Sequence, residues 1–217
     1  MRAVEIKICG ITSAADALAA VDAGASMLGL NFYEASPRCI SLERAQEIAA
    51  AIAGRVKLVG VFVNMNVSSV LQIARAVPLK AVQLHGSESA QQCDAVAEEF
   101  EVIRALHVDA GFSAARAAEF AGCAGLLLDT ACADHGGSGR SFDWASVDWT
   151  SVRVAAARAK LFLAGGLHAG NVRAAISAAR PDVVDVCSGV EMGKGIKSVE
   201  LMREFVAAVR AADSEES

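Results

Sequence analysis

The chain has 217 residues, of which 54% are hydrophobic and only three are proline. That composition excludes a disordered protein, and no apolar run approaches the ~20 residues of a membrane-spanning helix. A formal net charge of -5 argues against a nucleic-acid-binding surface. The first seven residues interleave charged and apolar side chains without a signal-peptide core, so a cytoplasmic location is expected. The six cysteines, at positions 9, 39, 93, 123, 132 and 187, form no Cys-x-x-Cys pair. Free thiols, mostly acting as small buried hydrophobes, are expected.

Taken in order, the chain repeats an apolar strand, a polar loop and an alanine-rich helix about every 25 residues. The first strand is predicted over 5–9, and its helix over 13–23, capped by Thr12 or Ser13. A strand over 27–32 leads through Ser36-Pro37-Arg38 to a helix over 42–53, closed by Gly54. Strands over 56–63 and 81–84 follow, with helices over 67–77 and 88–100. The fifth unit pairs a strand over 102–106 with a helix over 113–120. A sixth strand over 125–128 ends at Asp129, and a weak helix is predicted over 144–150. The last two units are 160–163 with 170–180, and 183–186 with 199–211. A polar tail over 213–217 is expected to fray.

Eight such units match a closed (β/α)₈ TIM barrel with a parallel eight-stranded core, a single catalytic domain spanning 1–217. Periodicity counts units without showing closure, so an open doubly wound sheet is the alternative.

In either sheet, chemistry gathers at the carboxyl ends of the strands. Those ends carry Cys9, Asn31 with Arg38 beyond, Asn64, His85, Asp129, Gly165-Gly166, and Asp185 with Ser188-Gly189. Gly165, Gly166, Ser188 and Gly189 follow strands seven and eight. There, backbone N–H groups can close on a phosphate, although glycine also simply permits tight turns. No Walker or dinucleotide-binding glycine spacing is present, so a phosphate ester is expected in place of a nucleotide. A thiolate at Cys9 and a carboxylic acid at Asp129, facing one another across a barrel mouth, suit transfer of protons by a base and an acid. A buried, inert cysteine is the plain alternative. Arg38 can grip a carboxylate in bidentate fashion, or stand as an ordinary solvated charge. Cys132 and His135 with Cys123 match no zinc spacing, and no metal is expected.

Several ordered segments carry a resemblance. They are Lys7-Ile8-Cys9-Gly10-Ile11-Thr12, Ser36-Pro37-Arg38, Gly60-Val61-Phe62-Val63-Asn64, Val82-Gln83-Leu84-His85-Gly86 and Leu128-Asp129-Thr130. Gly136-Gly137-Ser138-Gly139, Phe142-Asp143-Trp144, Leu163-Ala164-Gly165-Gly166-Leu167 and Asp185-Val186-Cys187-Ser188-Gly189-Val190-Glu191 continue them. Over nearly its whole length the chain resembles the phosphoribosylanthranilate isomerase family of tryptophan biosynthesis.

The resemblance implies an Amadori rearrangement of N-(5-phosphoribosyl)anthranilate to the carboxyphenylamino-deoxyribulose phosphate, without a cofactor. It makes Asp129 the general acid and Cys9 the general base. Arg38 becomes the partner of the anthranilate carboxylate, and the loops after strands seven and eight hold the phosphate. Asp185 and His85 are candidates for holding the sugar, and the glycines of 136–139 read as a mobile cover. The expected partner is a small phosphoribosyl substrate, with no nucleic acid or membrane, and the assembly a monomer or weak homodimer.

Cys187 stands where the family commonly has serine, Ser198 where aspartate is common, and Met192-Gly193-Lys194-Gly195 is unusual. None of these departures is expected to touch the acid, the base or Arg38. Rival phosphate-binding barrels fit less well. An indole-glycerol-phosphate synthase requires an essential strand-end lysine, and Lys7 and Lys160 have no supporting motif. The sugar isomerases of histidine biosynthesis require an aspartate at the position of Cys9. A catalytically dead barrel would not keep both proton-transfer residues.

Overall fold

A computed structural model describes residues 3–109, 112–130, 144 and 147–215. The apolar runs become parallel strands β1 (Glu5–Cys9), β2 (Met27–Asn31), β3 (Lys57–Phe62), β4 (Ala81–Leu84), β5 (Glu101–Val108), β6 (Gly125–Thr130), β7 (Lys160–Leu163) and β8 (Val183–Val186). Between and after them run α1 (Ala14–Ala23), α2 (Leu42–Ile52), α3 (Val67–Ala76), α4 (Ala90–Ala97), α5 (Ala114–Ala118), α6 (Trp149–Ala156), α7 (Val172–Ala179) and α8 (Val199–Glu215). Strand β1 pairs with both β2 and β8, which closes the sheet. The expected barrel is found, and the open sheet is excluded.

Alternation along the strands decides what lies inside. In-register partners on parallel strands share a face, so the pairs Lys7↔Asp185, Cys9↔Gly29 and His107↔Asp129 set one parity for the ring. On that face Met27, Val59, Ala81, Ile103, Leu127, Phe162 and Val183 pack as a separate apolar cluster that fills the barrel. The opposite parity, including Ile6, Ile8, Leu28, Leu126 and Leu128, packs against the helices in the main core. Both faces are buried, which is why the strands read as continuous apolar runs. The inward parity carries Cys9, His85, Asp129 and Asp185 to the carboxyl-end mouth.

The boundaries depart from expectation where a polar side chain outcompetes the periodic pattern. Ser13, Ser41, Asn66 and Ser89 each cap a helix by accepting from the backbone N–H three residues on. The helix expected over 144–150 instead starts at Trp149, because Asp148 accepts from Ser151 N at 3.0 Å and sets the N-cap. Helix α2 is closed by Ala53 in the left-handed region (φ 48°), one residue before the expected Gly54. Helix α8 passes its expected end at Ala211. Asp213, in the segment expected to fray, accepts from Val4 N at 3.1 Å and ties this helix to the start of β1. A short hairpin of β9 (Glu191–Gly193) and β10 (Ile196–Lys197) was not expected and sits beside the mouth.

Candidate active site

Cys9 ends β1, and its sulfur lies over Gly29 of β2. A Cβ at position 29 would stand 2.6 Å from Cys9 Sγ, so only glycine leaves room for the thiol. Beneath it, the fully buried Lys7 donates to Asp185 Oδ2 at 2.8 Å. Burial works against the Lys7 charge, yet the Asp185 carboxylate and the Cys9 sulfur more than offset it and hold the ammonium above its ordinary range. Burial pushes Asp185 up to about 7, against the pull of Lys7 and aided by the nearby Cys9 and Asp129 side chains. Asp185 therefore lies within electrostatic reach of both the expected base and the expected acid.

Cys9 itself is held well below the usual thiol range. The largest cause is a hydrogen bond from the Cys187 thiol; burial opposes it, and the ammonium groups of Lys7 and Lys197 assist. This corrects one expectation and adds a residue to the site. Cys187, expected to stand clear of the base, acts on it, and Lys7, weighed in the sequence only as a synthase lysine, is a cation that lowers the Cys9 thiol.

Asp129, near the end of β6, is buried, with Oδ2 3.3 Å from His85 Nε2. His85 Nε2 makes no aligned hydrogen bond among the described residues, so this contact is a close approach without hydrogen-bond geometry. The other ring nitrogen, Nδ1, meets Gln83 Nε2 at 2.6 Å. If the Gln83 amide donates there, the His85 proton resides on Nε2 and faces Asp129. The turn carrying His85 is fixed from outside the barrel. Arg104 donates to the carbonyls of Leu84, Ala105 and Gly86, while Glu88 accepts from Asn64 N and Gly86 N.

Arg38 is buried and held rigidly. Its Nε and Nη2 donate to Glu191 Oε1 and Oε2, both at 2.7 Å. The loop behind it is pinned by Ser36 Oγ, which accepts from Arg38 N and from Asn31 Nδ2. The Glu191 bond keeps Arg38 fully charged. Lys197 donates to the same Glu191 Oε1 at 3.0 Å. Among the described residues Nη1 has no hydrogen-bond partner, so one edge of the fork is left for a ligand. A solvated arginine is excluded. Glu191 and Lys197 were missed in the sequence, where neither spacing nor charge pattern links them to Arg38.

Gly165 and Gly166 adopt φ of 90° and 64°, which side chains rarely tolerate. Ser188 and Gly189 form a 3₁₀ turn after β8 (Ser188–Val190). A Cβ at Gly189 would stand 1.9 Å from Leu167 O, so glycine is what lets the loops after β7 and β8 close on one another. All the expected site residues within the described chain thus meet at one mouth. Cys132, His135 and the 136–139 cover lie outside the described residues.

A closed (β/α)₈ barrel with a depressed thiol, a buried carboxyl and a clamped guanidinium around one mouth defines a class: a barrel enzyme of the acid–base kind. The model of the N-(5'-phosphoribosyl)anthranilate (PRA) isomerase family matches residues 6–208, and the chain belongs to that family. It is 44% identical over 219 aligned residues to the N-(5'-phosphoribosyl)anthranilate isomerase of Pseudomonas paraeruginosa, covering 100% of each chain. The crystal structure of phosphoribosyl anthranilate isomerase from Thermotoga maritima superposes with a TM-score of 0.86 and 40% identity, over 96% of this chain and 99% of that one. A phosphoribosyl anthranilate isomerase in complex with reduced 1-(o-carboxyphenylamino)-1-deoxyribulose 5-phosphate gives a TM-score of 0.84 and 38% identity, over the same shares.

Proposed function

We infer that this protein is a phosphoribosylanthranilate isomerase of tryptophan biosynthesis, converting N-(5-phosphoribosyl)anthranilate to 1-(2-carboxyphenylamino)-1-deoxyribulose 5-phosphate. The observation that carries the reading is the charge-stabilised Cys9 at a mouth it shares with Asp129, in a chain of this family. Asp129 gives a proton to the ribose ring oxygen as the C1–O bond breaks, and the anthranilate nitrogen lone pair forms the C1=N bond. The Cys9 thiolate then removes the C2 proton, and the electron pair becomes the C1=C2 bond of an enolamine. Its C2 hydroxyl loses a proton and C1 gains one, giving the ketone. Protons move, no net oxidation occurs, and no step is routed through a cofactor or a metal.

Arg38, held by Glu191, takes the anthranilate carboxylate on its outer edge. The backbone of Gly165, Gly166, Ser188 and Gly189 takes the phosphate, and His85 and Asp185 hold the sugar. The assembly that goes with this reading is a monomer or weak homodimer. One barrel domain carries the whole activity. No described helix is long and apolar enough to cross a membrane. The free Cys9, Cys39, Cys93, Cys123 and Cys187 suit a reducing cytoplasm.

Complementation tests the activity in a cell. Expression of this chain in a tryptophan auxotroph lacking only this isomerase restores growth without tryptophan. Failure by soluble, expressed protein overturns the reading.

A further inference from the structure

Arg104 stands on the face of β5 where a charge is least expected. Its in-register partners are Leu84 on β4 and Leu126 on β6, both packed in the apolar core between the barrel and the helices. Arg104 and Glu88, its ion-pair partner at 3.3 Å, are both buried there. Well-packed apolar side chains of similar volume are often as stable in such a place. Stability alone therefore does not account for the two charges.

What they hold is backbone at the carboxyl ends of β3 and β4. Glu88 Oε1 accepts from Asn64 N at 2.7 Å, in the turn after β3, and Oε2 accepts from Gly86 N at 2.8 Å, in the turn after β4. Arg104 Nη1 donates to the carbonyls of Leu84 at 2.9 Å and Ala105 at 2.7 Å, and Nη2 donates to that of Gly86 at 3.0 Å. The peptide before His85 is thus held by its carbonyl, and the peptide after it by its N–H. With both planes fixed, the backbone of His85 cannot turn. The two turns are also joined directly. Asn64, at a left-handed φ of 52°, accepts from Ser87 N through Oδ1 at 2.7 Å. A Cβ at Gly86 would stand 2.8 Å from Asn64 N, so glycine is what lets the turns meet.

We propose that Glu88, backed by Arg104, is a positioning residue for catalysis, clamping the backbone on both sides of His85 so that its imidazole is set against Asp129. This rests on the reading of Asp129 as the acid. The side-chain torsions are the only freedom left to His85, and Gln83 Nε2, at 2.6 Å from Nδ1, takes it up. Nε2 then stands 3.3 Å from Asp129 Oδ2. The ion pair itself lies behind the barrel wall, with the Arg104 guanidinium carbon 5.1 Å from the centre of the Phe120 ring. Its effect on the reaction passes through His85.

The test is a double-mutant cycle between Glu88 and His85 on kcat/KM, read beside the imidazole ¹⁵N signals of His85. Glu88→Gln keeps size but turns an amide N–H toward one of the two backbone donors. Glu88→Asp keeps the charge beside Arg104 but is one methylene too short to span both turns, and it serves where the glutamine variant does not fold. Either change is expected to lower kcat/KM about tenfold to a hundredfold with His85 present, the cost of misplacing a group by about 1 Å. With His85→Gln already in place, the same change lowers it less than about twofold, since its route to the reaction is gone. A merely structural role would lower both backgrounds equally. In the spectra, the His85 signals, assigned by their loss in His85→Gln, leave the position of one fixed tautomer and approach that of a free imidazole. Equal losses in the two backgrounds, or unchanged His85 signals in a folded Glu88 variant, overturn the proposal. If the wild type does not turn over phosphoribosylanthranilate, the isomerase reading falls and the spectra alone decide: shifted His85 signals support the clamp, and unchanged ones overturn it.

Discussion

The two ends of the barrel hold the same kinds of charge and use them differently. At the amino end, Glu5 meets Lys160 and Lys57 meets Glu101, with side chains from 25% to 54% exposed. At the carboxyl end, Lys7 meets Asp185 and Arg38 meets Glu191, and none of these side chains is more than 8% exposed. Pairs at the first end are screened by water and contribute about 0–1 kcal/mol each. The second end cannot be screened. Its charges must be matched internally; burial still pushes Asp185 up to about 7 against the pull of Lys7, while Cys9 is held down with the help of the Lys7 and Lys197 ammonium groups. Depth, and not the presence of ion pairs, separates a structural rim from a site poised for proton transfer.

The contrast can be broken by substitution, starting from its deepest part. Asp129→Asn keeps size and removes the acid, and is expected to lower kcat by about 10²–10⁴-fold in a fluorescence assay of substrate loss. A rate within twofold of wild type would remove Asp129 from the mechanism. Lys7→Met strands Asp185 without its cation, and urea denaturation at about pH 8 should show about 3–5 kcal/mol of lost stability. At about pH 5, below the raised value of Asp185, the carboxyl takes up a proton and most of that loss disappears. A loss that is equal at both pH values would mean that the charge of Asp185 is not what Lys7 offsets.

Milder effects are expected toward the rim of the mouth. Arg38→Ala should raise KM about tenfold to a hundredfold, the worth of a charged hydrogen-bond pair, and leave kcat largely intact. Glu191→Gln loosens the same guanidinium and should raise KM less; a fall in kcat alone would move Arg38 to transition-state positioning. The smallest effect belongs to the amino end. Lys160→Met should cost at most about 1 kcal/mol by thermal melting and leave kcat and KM unchanged.

The strands were legible because each is buried on both faces, so apolar runs alone located them. Cys9, Asp129 and Asp185 were legible as polar residues ending or interrupting such runs. What escaped was set by register and distance. Glu191 reaches Arg38 across 153 positions of sequence, and no local pattern records that bond. Gly29 sits in an apolar strand, and its reason emerges only when β1 brings Cys9 opposite it. The helix expected from Trp144 failed for a local reason, the capping power of Asp148. Its signal, an Asp three residues before Ser151, was present in the sequence.

The central claim is that this protein isomerises phosphoribosylanthranilate with Cys9 as the base. It is tested most directly by the initial rate of substrate fluorescence loss for wild-type protein and Cys9→Ser, both shown to be folded. The account predicts turnover by the wild type and a fall in kcat of about 10²–10⁴-fold in the variant, with KM little changed. A wild-type protein without turnover, or a serine variant at the wild-type rate, would contradict it.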